Sequence, residues 1–105
     1  KWNKTYGGEQ PDMAYSMQQT NDNGYVMAGY TSSSGAGGAD FWLVKTDSNG
    51  NAEWNKTYGG TSQDEAYAVQ QTNDNGYILA GTTSSFGVGF SDFWLVKTNS
   101  NGGVI

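Results

Sequence analysis

The chain has 105 residues, ten acidic and five basic, for a net charge of −5, with 16 Gly, one Pro and neither Cys nor His. Without His or Cys there is no Ser/His/Asp or Cys/His nucleophile pair, no imidazole base, no disulfide, and no zinc or iron site of the usual ligand types. Five scattered Lys and no Arg argue against a nucleic-acid partner, and no apolar run is long enough for membrane insertion or a targeting signal.

The first run, WNKTYGG at residues 2–8, alternates aromatic and polar residues and reads as an outer strand or a part of one. A β-type run follows at residues 14–20, AYSMQQT, and the next, GYVMAGYT, begins at Gly24. Asn23-Gly24 between them predicts a tight type I′ hairpin with two positive φ angles. A Gly/Ser/Ala-rich loop at residues 32–39 leads to DFWLVKT at residues 40–46, and Asn49-Gly50 then turns the chain into a fourth run at residues 52–58. The second and third runs are nearly continuous in apolar residues, which predicts cover on both faces. The first and fourth are more polar, as border strands are.

Everything then repeats. WNKTYGG returns at residues 54–60, QQTNDNGY of residues 18–25 returns at 70–77, and DFWLVKT returns at 92–98, each displaced by 52 positions. Residues 2–53 superpose on 54–105 without a gap, and about two thirds of the positions are identical. The chain therefore divides into repeat 1 at residues 1–53 and repeat 2 at residues 54–105. A period of this size, with four short strands, predicts an all-β fold: a β-propeller with two four-stranded antiparallel blades per chain.

The motifs W-x-K-T-Y-G-G, D-x-A-Y, T-x-D-x-G-Y-(V/I)-(M/L)-A-G-x-T-S-S and D-F-W-L-V-K-T-(D/N)-S-N-G resemble the propeller repeats of bacterial and archaeal secreted and cell-surface proteins. The seven-bladed beta-propeller repeat family and the Gly-rich delta-60 type share the G-Y-(hydrophobic)-A-G-x-T-S core. The likeness covers both copies. It implies an extracellular or cell-surface scaffold and no common catalytic residues, because fold analogy supplies no activity.

The fourth strand of repeat 2 is split, beginning in NGGVI at residues 101–105 and continuing in WNKTYG at residues 2–7. Two blades cannot close a ring, so the expected partner is the chain itself, joined head to tail through Trp2, Tyr6, Val104 and Ile105. A homo-tetramer would give eight blades and a homo-trimer six, with eight favoured. A rotation that failed to close would give a fibre instead.

Candidate sites are few. Asp47, Asn49 and Asn51 put oxygens around a turn as calcium loops do, but Asn-Gly hairpins require the same residues, and Asp47 and Asn51 become Asn99 and Gly103 in repeat 2. Asp22 and Asp74 invite the same two readings. Asp12 and Asp64 precede the first strand of each repeat, where several blades could gather carboxylates around an axis. A structural role is favoured over calcium or another cation, and no cofactor is expected. The paired Lys-Thr dipeptides predict ion pairs with aspartates across strands or between blades. Asp40 with Asp12 would supply the two carboxyls a glycosidase needs, yet nothing marks either as catalytic, and no enzyme activity is expected. The expectation is an assembly module. The alternative is a lectin-like module whose Tyr30, Phe86 and Phe90, in or beside the loops between second and third strands, stack on carbohydrate.

Overall fold

The structure is a computed structural model and describes residues 3–8, 12–32, 38–86 and 91–105. It is all-β, with two antiparallel sheets. β1 (Asp12–Gln19), β2 (Tyr25–Thr31), β3 (Asp40–Thr46) and β4 (Ala52–Tyr58) form the first in that order. β5 (Asp64–Gln71), β6 (Tyr77–Thr83) and β7 (Asp92–Thr98) form the second. Beyond β7, Val104 makes one antiparallel bridge to Thr98, as Ala52 pairs with Thr46 in the first sheet.

The hairpin turns are longer than the expected type I′. Asn23 N–H donates to Thr20 C=O at 3.0 Å and Thr20 N–H donates to Gly24 C=O at 3.0 Å, so three residues are enclosed. Only Asn23 has positive φ, 68°, and Asn75 repeats it at 66°. Between β3 and β4 the left-handed position falls on Gly50, φ 81°, one place later in the Asn-Gly pair. Both are type I turns followed by a left-handed residue, the pattern of three-residue hairpins. Gly24 is required for space instead, since a Cβ there would lie 2.1 Å from the Thr46 carbonyl oxygen.

A second irregularity has no direct sign among the turn residues. The β1–β2 register slips between Ala14 and Ser16, and the β5–β6 register slips between Ala66 and Ala68. Tyr15 and Tyr67 are thus the extra residues of two β-bulges. Each bulge presses the strand onto its neighbour, and a Cβ at Gly29 would stand 1.8 Å from the Met13 carbonyl oxygen, one at Gly81 2.0 Å from that of Glu65. The Ala-Gly step of each repeat is the far side of the bulge. The two tyrosine rings meet at 4.8 Å.

The sheets stack with β5 lying across β1, β2 and β3. Val26, Ala28, Phe41 and Leu43 of the first sheet face Ala66, Tyr77, Leu79 and Val96 of the second, and all are buried. Trp94 meets Phe41 at 4.6 Å, and Trp54 sits edge-on to Tyr77 at 5.9 Å. Tyr58 Oη donates to Gly102 C=O at 2.6 Å across the seam, and burial raises that phenol to about 12.

Candidate functional site: two open sheet faces

Because the repeats share a register, each residue has a counterpart 52 positions away whose surroundings can be compared. Phe41 and Leu43 are 0% exposed inside the seam, whereas Phe93 and Leu95 are 98% and 67% exposed on the outer face of the second sheet. The reverse holds on the first sheet. Ala66 is buried and its counterpart Ala14 is exposed, while buried Val69 corresponds to exposed Met17. Each open face thus carries the residue types of one half of the buried seam. The seam within the chain shows what such faces look like when they meet.

Residues 3–8 extend this correspondence. Tyr6 Oη donates to the Gly50 carbonyl, as Tyr58 Oη donates to that of Gly102. Gly8 N–H donates to Asp12 Oδ2 at 3.0 Å, as Gly60 N–H donates to Asp64 Oδ2 at 3.1 Å. The segment lies against the first sheet as the end of β4 lies against the second, yet among the described residues it pairs with no strand. A cleft of about 350 Å³ remains between it and Trp42 and Val44. Val104 and Ile105 are exposed beside β7, where Ile105 N–H donates to Lys97 C=O at 3.1 Å. Trp2, expected beside them at the junction, lies outside the described residues.

The candidate metal donors are engaged in hydrogen bonds, Asp12 and Asp64 across their strand pairs and Asp47 within its turn. Asp64 is fully buried and accepts from Thr83 Oγ1 at 2.5 Å and Ser85 Oγ at 2.9 Å besides Gly60. Asp12 accepts from Thr31 Oγ1 as well as from Gly8. Asp47 Oδ1 accepts from the backbone N–H of Asn49 at 2.8 Å and of Asn51 at 3.0 Å, bonds that hold its carboxyl below the usual range, that from Asn51 first. Asn99 accepts the equivalent pair from Asn101 and Gly103, both at 2.9 Å, so an amide oxygen serves the turn equally well. Among the described residues no three acidic groups converge as a metal site would require.

Two of the four Lys-Thr dipeptides, at Lys45 and Lys97, form ion pairs within their sheets, whereas Lys4 Nζ donates to Asn51 Oδ1 at 3.2 Å. Lys45 Nζ reaches Asp22 and Glu53, each at 3.0 Å, and the Thr46 carbonyl at 2.8 Å. Burial alone would lower its pKa, but the bonds to Glu53 and Asp22 outweigh that and raise it. Asp22 is held down at about 2 by Thr20 Oγ1, then Gly24 N–H, then Lys45. Lys97 and Asp74 repeat the pair at 3.0 Å.

Of the aromatic candidates, Tyr30 is half-buried beside Tyr15 at 6.1 Å, whereas Phe86 leans on Trp94 at 5.0 Å. No ring contact joins Tyr30 to Phe86 among the described residues, and Phe90 lies outside them. No family model matches the chain, and no curated protein matches it.

Proposed function

We propose that this chain is a structural assembly module whose open faces are covered by further copies of itself, joined head to tail into a closed propeller. The observation that carries the reading is the pairing of buried Phe41 and Leu43 with exposed Phe93 and Leu95. A surface that repeats one half of an existing seam is matched by whatever repeats the other half, and the Ala14/Met27/Trp42 face does so. Such an interface is heterologous and closes into a ring when the rotation per chain divides a full turn. Three or four copies, giving six or eight blades, are the sizes that suit four-stranded sheets. The register of β3 with β4 (Phe41 with Tyr58, Leu43 with Lys56) supplies a template for joining. Tyr6 of one copy would lie beside Phe93 of the next, with Lys4 beside Leu95.

Magnitudes favour strand completion together with face contact. Covering Phe93 and Leu95 contributes about 1.5–3 kcal/mol each. Association costs about 4–15 kcal/mol, so the remainder has to come from Tyr67, from Trp42 of the neighbouring copy and from backbone bonds along β7. The likeness to secreted propeller repeats supports an extracellular or cell-surface setting and a role in which form, not chemistry, is the product.

Light scattering during size-exclusion chromatography tests this across a range of concentrations. A mass three or four times that of the chain is expected, and Leu95→Lys, which changes a residue outside the internal seam, is expected to reduce it to that of one chain. A well-folded monomer at every concentration reached would remove the proposal.

A further inference from the structure

The same stacking that buries the two apolar faces leaves a gap at the hairpin end of the seam. There a cleft of about 780 Å³ opens between the β1–β2 turn and β4 on one side and the β5–β6 turn on the other. This falls within the volume range of small-molecule sites. Its polar lining is unusually well specified for a surface gap. Asn21 Nδ2 donates to Asn75 Oδ1 at 3.0 Å across the seam, and Asn21 N–H donates to Gln71 Oε1 at 2.9 Å. That leaves Asn21 Oδ1 as an acceptor and the Asn75 amide as a donor, neither bonded among the described residues. Glu53 bonds Lys45 through Oε1, leaving Oε2 as a second acceptor. Trp54, half-buried on Tyr77, supplies the apolar wall.

We propose that this cleft binds a neutral, polyhydroxylated ligand of the sugar class. The two linked amides offer one acceptor and one donor side by side, which suits neighbouring hydroxyls that each give and take a hydrogen bond. The Trp54 indole supplies an aromatic surface on which the apolar C–H face of a pyranose ring can pack. Charge selects against anions: Asp22 and Glu53 outnumber Lys45, whose three ammonium protons are engaged by those carboxylates and the Thr46 carbonyl. A phosphate or uronate would meet net negative charge and, among the described residues lining the cleft, no available cation. The site is distinct from the loop aromatics Tyr30 and Phe86, because its residues lie at the opposite, hairpin end of the strands. It also stands apart from ring formation, since both walls belong to one chain.

The experiment is a titration of the intact chain with lactose, cellobiose and diacetylchitobiose, followed by NMR at the Asn21 and Asn75 side-chain amides and the Trp54 indole. Glucuronate and glucose 6-phosphate serve as charged comparisons. Saturable shifts at those three groups are expected for at least one neutral sugar, with the anions binding more weakly. Asn21→Ala, and Asn75→Gly, which keeps the positive φ, are each expected to weaken binding by about tenfold. Phe86→Ala is expected to leave it unchanged. No shift with any of the three sugars, equal binding of the anions, or loss on Phe86→Ala with retention in Asn21→Ala would overturn the proposal.

Discussion

β3 and β7 have the same seven residues, DFWLVKT, in different surroundings. In β3 the Phe, Leu and Lys side chains point into a seam roofed by the second sheet. In β7 the same three point outward. The lysines measure the contrast on a charged group: the Lys45 side chain is 5% exposed and gains Glu53 as a second carboxylate partner, whereas that of Lys97 is 31% exposed and, among the described residues, has Asp74 as its one carboxylate partner. An identical sequence thus adopts an identical strand in both places, while its energetic weight is set by what lies over it. Strand formation belongs to the local hairpin, and burial belongs to the stacking.

Paired substitutions break the comparison most directly. In the single chain, Leu43→Ala is expected to cost about 2–5 kcal/mol in urea unfolding. Leu95→Ala is expected to stay within about 0.5 kcal/mol. Under conditions where copies associate the second value should rise toward the first, and equal costs in the dilute single chain would show that burial does not distinguish the two strands. Next in size, Tyr58→Phe leaves the Gly102 carbonyl without its donor and should cost about 1–2 kcal/mol. Tyr6→Phe, at a half-buried position, should cost less in the same melt.

Acid sharpens the comparison further. Asp22 is held at about 2, below the value near 3.9 of an unfolded carboxylate, so folding favours its charged form. Its contribution is complete above about pH 4 and fades as pH falls through about 2. Tryptophan fluorescence along an acid titration should show a loss of stability in that interval that shrinks in Asp22→Asn. The effect is modest, because the Asp22 side chain is 59% exposed and solvent screens the pair. The smallest change is expected from Asp47→Asn, which reproduces the turn already built on Asn99 and should shift stability by less than about 0.5 kcal/mol. A larger loss, or a gain of calcium sensitivity by the native chain alone, would give the carboxylate a role the amide lacks.

Strand identity is legible because apolar runs and turn residues are local signals. The Asp40–Thr46 and Ala52–Tyr58 bounds match the expected runs, and the 52-residue register carries through to the second sheet. The turn type is not, since an Asn-Gly pair satisfies a left-handed position with either residue, and here repeat geometry uses Asn23 in one turn and Gly50 in the other. The bulges at Tyr15 and Tyr67 leave only an indirect trace, a glycine after alanine on the neighbouring strand. The Lys45–Asp22 pair spans 23 positions, and the seam cleft draws on turns and strands of both repeats. Such convergence depends on how two sheets are set against each other, which no local pattern encodes.

The sheet order β1-β2-β3-β4 and β5-β6-β7 pairs every strand with its neighbour in the chain. Each pairing therefore closes a short loop, at small entropic cost, before any contact between repeats is needed. The expected order of events is hairpins first and seam last. During that interval both copies of DFWLVKT are equivalent and uncovered, and the molecule has two ways to satisfy the first one: its own second sheet, or that of a neighbour. The linker at residues 59–63 settles the choice at low concentration by keeping the chain's own sheet close at hand. Refolding at high concentration should then produce exchanged species in which the seam joins repeats of different chains.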